Sequence, residues 1–486
     1  PAGVRALPTH FVFAVKRNAE GGIERYKGRC VAGGHRQIPF KDHDPMRTHA
    51  PVSSPGTFFA VVSMALRHGL ALRHCDVATA FLNSPLKETI YVRLPDGFVG
   101  PNGEQYALLH KALYGLVQAA AEWYRFQHDF LMHFDSRMRR SVHDPCLYFL
   151  RNSEGRLILI VVVWVDDYTL AYDASTSVLQ DFLAAFRARD CEVKDLGYPS
   201  MLLGMVVSGT AARITFSQKP AIQELAERYG LTASAPVYTP MAHKLDLQLQ
   251  SPAAVDLPYR SLGGALLYIA RMTRPDVLYA VMYLLSFSAA YGQEHYTAMR
   301  RVLKYLYTTR DLCLAYLAPD PHSALRLEVY SDSSWGDTSA SRRSVSGSCI
   351  FIDGNLVSWD STRQHCVSLS TVESEYVALS DAVRGGCSTQ YVLEELLTAS
   401  PVMHVYSDNQ GAIFNAMNQT LNKQTKHIAI RYHFVREIVQ SDRATLQYVP
   451  THDNPADIFT KSVPKDTLLK HSKRIMNLES SGAVAP

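Results

Sequence analysis

The chain has 486 residues, with 49 Lys and Arg against 45 Asp and Glu, and 47% of its residues are hydrophobic. It is too long for one hydrophobic core and too apolar to be disordered, so roughly two to four globular domains are expected. A net charge of +4 is mildly basic, which permits a nucleic-acid partner without demanding one. No signal peptide is evident, and no apolar run approaches the roughly 20 residues that span a bilayer, so no membrane role is expected. The cysteines at 30, 75, 146, 191, 313, 349, 366 and 387 show no Cys-x-x-Cys and no paired His spacing. They read as reduced thiols of an intracellular protein. A start at Pro1 without Met suggests a segment excised from a longer chain.

In chain order, residues 8–37 alternate apolar and polar around a turn at Glu20-Gly21-Gly22, the pattern of a β-hairpin carrying basic side chains. Residues 56–71 have helical periodicity and lead into the short strand Arg73-His-Cys-Asp-Val. A turn-rich stretch at 95–103 precedes a helix over 118–134 and an apolar hairpin over 156–172. Residues 175–189 form an amphipathic helix, 201–217 a hairpin turning at Gly209, and 219–229 a helix. Residues 234–258 have no strong period and read as an irregular connection. Two or three helices fill 259–310, the last carrying Arg300, Arg301, Lys304 and Arg310, either a solvated basic face or a helix that tracks phosphates. From Leu325 the pattern changes to strand, polar turn (SASRRS), strand, strand, helix, strand, two helices and strand, which marks an independent α/β domain.

The carboxylates stand out against this background. Nine apolar residues, Leu157 to Val165, run straight into Asp166-Asp167. Two unpaired carboxylates at low dielectric repel each other and lose hydration, a cost that a bound divalent cation with oxygen ligands removes. Taken alone, the pair is also what a hairpin turn carries. Asp76 sits in the same context, where an apolar strand meets a turn. The three together would hold two metal ions for phosphoryl transfer, with Lys27 and Arg29 on the first hairpin as candidates for gripping a triphosphate. In the second half, Asp332 and Asp408 end strands, Glu375 lies on a helix and Asp457 follows in HDNPAD, a second set suited to two metals cutting a phosphodiester.

At these residues the sequence resembles the reverse transcriptase–ribonuclease H region of copia-type LTR retrotransposon (Pseudoviridae) polyproteins. The stretches that carry it include RYKGRCVAGGHRQ (25–37), CDVATAFLNSPLKETIYVRLPDGF (75–98), ALYGLVQAAAEWY (112–124), WVDD (164–167), YRSLGGALLYIARMTRPDVLYAV (259–281), SLSTVESEYVALSDA (368–382), SDNQGAI (407–413), TKHIAIRYHFVRE (425–437) and YVPTHDNPADIFTK (448–461). The resemblance implies an α+β multidomain protein, a right-hand polymerase followed by an α/β ribonuclease H-like domain. Fingers and palm fall over 1–207, thumb and connecting helices over 208–321, the nuclease over 322–470 and a tail over 471–486.

It also implies roles. Asp76, Asp166 and Asp167 match the polymerase metal ligands, and Asp332, Glu375, Asp408 and Asp457 the nuclease ligands, Glu375 being preferred to Glu373. Lys27 and Arg29 would meet nucleotide phosphates, and Phe81 would be the steric gate against a ribose 2′-hydroxyl. Tyr114, Gly115 and Gln118 would lie near nucleotide and template, and His452 would assist product release. Implied cofactors are two Mg2+ per site, Mn2+ being an alternative. Implied partners are RNA template, DNA primer, RNA–DNA hybrid and dNTPs, with monomer or homodimer undetermined and the cytoplasm (in a virus-like particle) or the nucleus as the place of action. The chain departs from the family at Val117, usually Lys, at Ala120-Ala121, usually Pro-Arg, at Trp164, usually Tyr, and at Ser334 in Asp-Ser-Ser-Trp, which lacks an accessory carboxylate. His35-Arg36 stands where Phe or Tyr is commoner. The alternative readings are a domesticated nucleic-acid-binding protein and a nuclease with a degenerate polymerase half.

Overall fold

The computed structural model describes residues 5–17, 22–189, 191–248, 257–335, 342–417 and 429–478. The expected turn at Glu20-Gly21 and the first half of the SASRRS turn lie outside these residues. The chain forms two compact units, one of residues 1–54 and 70–198, the other of residues 55–69 and 199–486.

In the first unit, Ala6–Arg17 and Ile23–Ala32 pair antiparallel as the basic hairpin. Pro85–Arg93 adds parallel to Ala6–Arg17 and Tyr106–Lys111 completes a four-stranded sheet. A second, six-stranded sheet runs in the order Val193–Gly197, Ala71–Val77, Asp167–Tyr172, Leu157–Trp164, Leu147–Arg151 and Arg139–Arg140. Leu157–Val163 is buried at every residue, which is why its sequence is a continuous apolar run rather than an alternation. Helices Ala119–Phe134 and Val178–Arg187 supply Trp123, Phe130, Phe182 and Phe186 to the core that also holds Val161, Val163 and Tyr168. This core places the Asp166-Asp167 hairpin at the end of a rigid platform.

In the second unit, Met201–Leu202, Met205–Gly209, Arg213–Ser217 and Leu314–Leu317 form an antiparallel sheet. The expected hairpin at 201–217 is thus broken near Leu203, which has φ +48°, and turns just after Gly209. Helices Tyr259–Met272, Leu278–Leu285 and Gln293–Thr308 follow. Between the first two, Arg274 is fully buried in a bidentate pair with Asp276 (2.9 and 2.7 Å), an arrangement that satisfies both charges away from water. The last sheet runs Asn355–Arg363, Val345–Ile352, Leu327–Ser334, Met403–Ser407 and Ala444–Tyr448. Its first three strands are antiparallel and the last two add in parallel, with the long helix Thr371–Leu397 packed against the central strands. The expected α+β class, with an α/β nuclease-like domain after the polymerase-like part, is borne out.

The compact units do not coincide with the expected domains: the first ends at residue 198 rather than 207, the second runs unbroken across 321/322, and two further segments stand elsewhere than expected. Helix Pro55–His68 belongs to the second unit, although its sequence lies inside the polymerase-like region. Phe59 stacks on Tyr316 at 5.6 Å and packs against Phe216 and Trp359, Asn355 Nδ2 donates to Ser63 Oγ at 3.1 Å, and Arg67 pairs with Asp353 at 3.1 Å. The expected tail from residue 471 instead begins inside helix Lys465–Ile475, whose His471, Ser472 and Ile475 are buried. The amphipathic spacing of that helix gives it a face to bury, so it belongs to the core rather than to a tail. Because Phe59 joins two sheets through three aromatic partners, Phe59→Ala is expected to cost about 3–5 kcal/mol in denaturant unfolding of the full chain. A loss under about 1 kcal/mol would mean that the helix is not part of this core.

Candidate active sites

The polymerase-like centre is built by one hairpin and its neighbour strand. Leu157–Trp164 and Asp167–Tyr172 are joined by a two-residue turn, Val165-Asp166, and Trp164 pairs with Asp167. The turn reading of Asp166-Asp167 thus describes the backbone here, and it is compatible with the site reading: Asp166 lies in a hairpin turn and Asp167 opens the following strand, at the end of a buried sheet. Val165 has φ +60°, a left-handed conformation that a β-branched residue adopts only under constraint. Its carbonyl accepts Trp123 Nε1–H at 2.6 Å, which fixes the turn to helix Ala119–Phe134. On the adjacent strand Asp76 is the direct cross-strand partner of Asp167.

The charges are balanced locally. Burial, followed by repulsion from Asp167 and Asp76, raises the Asp166 carboxyl above the usual range, while its backbone hydrogen bond and Lys27 oppose the shift. Asp167 Oδ1 lies 3.1 Å from His74 Nε2, and His74 is two residues before Asp76 on the same strand face. Arg29 sits over the Tyr114 ring at 5.6 Å, and Phe81 packs on the same ring at 5.0 Å. Burial and then the Asp166 charge raise the Tyr114 hydroxyl, with Arg29 opposing. The structure thus gathers Lys27, Arg29, Phe81, Tyr114 and the three aspartates. Gly115, at φ +90°, is required where it stands, since a Cβ there would lie 2.2 Å from the Ala32 carbonyl oxygen.

Gln118 corrects one expectation. It is 2% exposed, its Oε1 accepts Gln37 Nε2–H at 2.9 Å and its Nε2 donates to the Asp42 carbonyl at 3.0 Å. Its amide is spent on holding two loops together, so it positions the Tyr114-Gly115 turn rather than facing a nucleotide. Arg300, Arg301 and Lys304 line an open groove of about 910 Å3 with Val237, Leu245 and Leu247. Arg300 also donates to the Tyr229 carbonyl and Arg301 to Thr239 Oγ1, so these guanidiniums are partly held by the protein itself.

The nuclease-like centre is tighter. Asp332 lies near the end of the central strand Leu327–Ser334, Asp408 just beyond Met403–Ser407 beside it, and Glu375 on helix Thr371–Leu397. Among the described residues, only these three bring ligand oxygens within 4.8 Å of one another. Glu373 is excluded as the ligand because it closes the helix start: Ser370 Oγ accepts Glu373 N–H at 3.2 Å, and Glu373 Oε2 accepts Leu369 N–H at 2.9 Å. Burial, with Asp332 and Asp408 adding repulsion, pushes the Glu375 carboxyl up to about 9, and burial likewise pushes Asp332 up to about 7. Glu375 Oε2 is buried without a hydrogen-bond partner. A partnerless buried carboxylate oxygen beside two further carboxylates fits a divalent cation, which these three residues would hold.

Asp457 reaches the site on the short helix Pro455–Phe459, which lies against the sheet because Gly347, opposite Asp332, has no side chain. A Cβ there would be 2.6 Å from Thr460 Cγ2. Asn454 anchors the segment by donating to the Ser331 carbonyl at 2.9 Å and accepting Ala456 N–H at 3.1 Å. Thr460 Oγ1 donates to Asp332 Oδ2, and Lys461 Nζ lies 2.8 Å from Asp457 Oδ1. His452 is not drawn into this cluster: its ring is exposed, with Nε2 3.3 Å from Asp453 Oδ2. Sequence reasoning missed His74, Trp123, Gly347, Thr460 and Lys461. His74 was accessible from its two-residue spacing to Asp76, and Lys461 from its four-residue spacing to Asp457.

Two sheets, each with carboxylates at strand ends, define a two-part polymerase-like and nuclease-like architecture. A reverse transcriptase (RNA-dependent DNA polymerase) family model matches residues 1–243. The chain belongs to this family. A retrovirus-related Pol polyprotein from transposon TNT 1-94 of Nicotiana tabacum is 33% identical over 482 residues, 96% of this chain and 35% of that protein. The corresponding polyprotein from transposon RE1 of Arabidopsis thaliana is 32% identical over 98% of this chain and 32% of its own length. The putative transposon Ty5-1 protein of Saccharomyces cerevisiae is 33% identical over 63% of this chain and 99% of its own length. The chain thus spans about a third of the plant polyproteins it matches. Among solved structures, a foamy viral protease-reverse transcriptase in complex with double-stranded DNA has a TM-score of 0.51 at 12% identity. It covers 93% of this chain and 66% of that one, a likeness of fold. The copia-type resemblance is borne out at the level of family.

The raised carboxyls give a signed pH dependence. A carboxyl whose folded value exceeds its unfolded value stabilises the fold below the ordinary carboxylate range, and that stability is lost as pH rises through about 7 and 9. A cation held by the deprotonated carboxylates opposes this loss. The rise in melting temperature on replacing EDTA by a divalent cation is therefore expected to be larger at pH 9 than at pH 6, and to shrink in Glu375→Gln. An equal rise at both pH values would contradict the burial of Glu375.

Proposed function

We propose that the chain is a retrotransposon reverse transcriptase. It is an RNA- and DNA-directed DNA polymerase acting by two-metal phosphoryl transfer, with ribonuclease H cleavage of RNA in RNA–DNA hybrids. The observation that carries this reading is the presence of two separate carboxylate centres on two sheets, the first beside a basic hairpin and the second closed around Glu375. Its substrates are an RNA template, a DNA primer, dNTPs and the hybrid product; double-stranded DNA bound to the foamy viral neighbour supports a duplex ligand.

In the polymerase centre, Asp76, Asp166 and Asp167 would hold the metal ions. Lys27 and Arg29 meet the triphosphate oxygens, Phe81 stands against a ribose 2′-hydroxyl, and Tyr114 is held by Arg29 beside the nucleotide. In the nuclease centre, Asp332, Glu375 and Asp408 form the ligand set, with Asp457 adjoining. Bound divalent metal, Mg2+ in this reading, supplies activation of the attacking oxygen and neutralisation of the leaving group. Hybrid recognition through backbone and 2′-hydroxyl contacts suits the groove lined by Arg300, Arg301 and Lys304. His452, exposed near the nuclease, is assigned to product release. An intracellular location, in a cytoplasmic particle or the nucleus, follows in this reading from the scattered spacing of the cysteines in the sequence, which resembles neither a disulfide framework nor a zinc site.

The test uses the purified chain with Mg2+, a DNA primer on an RNA template and, separately, an RNA–DNA hybrid. Asp166→Asn is expected to lower extension at least a hundredfold while leaving hybrid cleavage within about twofold, and Asp408→Asn is expected to do the reverse. Cleavage without extension in the parent chain would favour a nuclease with a degenerate polymerase half. Binding of hybrid with neither activity would favour a domesticated binding protein.

A further inference from the structure

Four carboxylates share the nuclease-like centre, yet only Asp332, Glu375 and Asp408 turn oxygens toward a common point. Asp457 stands outside that set although it is only 6% exposed. Lys461 accounts for the difference. Its Nζ lies 2.8 Å from Asp457 Oδ1 and 3.9 Å from Asp332 Oδ2, so one ammonium bridges the fourth carboxylate and a member of the triad.

An i, i+4 ion pair on a surface would contribute little and call for no function. This one differs, because both carboxylates are buried, Asp332 being 2% exposed. Removing the ammonium would leave two like charges facing each other at low dielectric, a costly arrangement. The segment that carries Lys461 is also fixed: Asn454 ties it to Ser331, and Thr460, its immediate neighbour, donates to Asp332. The ammonium therefore holds a defined position between two carboxylates, which is where a second divalent ion shared by the same pair would have to lie. At the triad, Glu375 Oε2 is buried without a hydrogen-bond partner on a side chain that is 9% exposed, which fits a cation held by Asp332, Glu375 and Asp408.

We propose that Lys461 takes the place of a second divalent cation in the nuclease centre. The centre then binds one divalent ion tightly, at Asp332, Glu375 and Asp408, while Lys461 bridges Asp332 and Asp457. This rests on the nuclease reading above and narrows its expectation of two ions per centre. Lys461 acts here as a positioning residue, setting how many metals the carboxylates accept.

The experiment counts bound Mn2+ by electron paramagnetic resonance and calorimetry, using the full chain with Asp166→Asn and Asp167→Asn so that only the nuclease centre contributes. One tight ion is expected with Lys461 and with Lys461→Arg. Lys461→Met is expected to bind two, the second at least tenfold tighter than any second ion in the parent. Lys461→Met is also expected to melt at lower temperature than the parent in EDTA and to regain the difference with Mn2+, a rescue that a merely structural lysine would not show. Two tight ions in the parent, or one in both parent and Lys461→Met, overturn the proposal. If adding Asp408→Asn to the parent does not remove the tight ion, the metal is bound elsewhere and the nuclease reading itself fails, an outcome distinct from failure of the Lys461 assignment.

Discussion

Carboxylates brought together at the ends of buried strands are the constraint around which this protein is arranged. An apolar strand is rigid because it is buried, and its end is a precise place to mount a ligand, but the same burial makes each carboxylate costly. The two centres resolve the conflict differently. In the first, Asp166 and Asp167 stay partly exposed on a hairpin turn, and Lys27 and His74 supply nearby positive or hydrogen-bonding partners. In the second, Asp332 and Glu375 lie deeper, so compensation is built in as Thr460 and Lys461, and a cation held by the triad would complete it. Among the described residues, the second set brings ligand oxygens within 4.8 Å of one another and the first does not.

Positioning in both centres depends on backbone features that the carboxylates themselves do not reveal. Val165 is held left-handed, and the Trp123 indole clamps its carbonyl. Gly115 lets the Tyr114 turn approach Ala32, and Gly347 lets the Asp457 segment lie on the sheet. In each case a strained or side-chain-free position brings two segments distant in sequence close enough to share a site. Helix Pro55–His68 is the larger counterpart. It leads directly into the strand of Asp76, yet its own aromatic face is buried against Phe216, Tyr316 and Trp359 of the second unit.

What could be read from the sequence follows from range. Strand ends, the long apolar run and the helix of Glu375 are local patterns, so the carboxylates and the class of fold were legible. The separate strands Pro85–Arg93, Tyr106–Lys111 and Leu314–Leu317 were not, because each is defined by partners far away in the chain. The role of Gln118 was misread for the same reason: nothing in LYGLVQ announces that Gln37 and Asp42 will claim its amide. Membership of helix Pro55–His68 in the second unit is also set by distant aromatic partners, and no composition shift marks it.

The same distinction bears on the altered LYGLVQAAA stretch, the main sequence feature pointing to a weakened polymerase half. Residue 121 is buried within the first turn of helix Ala119–Phe134, and position 120 is only partly exposed. An arginine at 121 would have to leave that buried site or repack it, whereas alanine fits the helix start and favours it intrinsically. The loss of Pro-Arg is therefore chiefly a change in how the helix begins and packs, not the removal of an exposed positive charge. Only Val117, 40% exposed and immediately after Leu116, replaces a family lysine where a charge would meet solvent. The basic hairpin, with Lys27 near Asp166 and Arg29 over Tyr114, is untouched by either change. The departures within this stretch thus narrow to a single surface charge, and a degenerate polymerase half loses most of the support that LYGLVQAAA lent it.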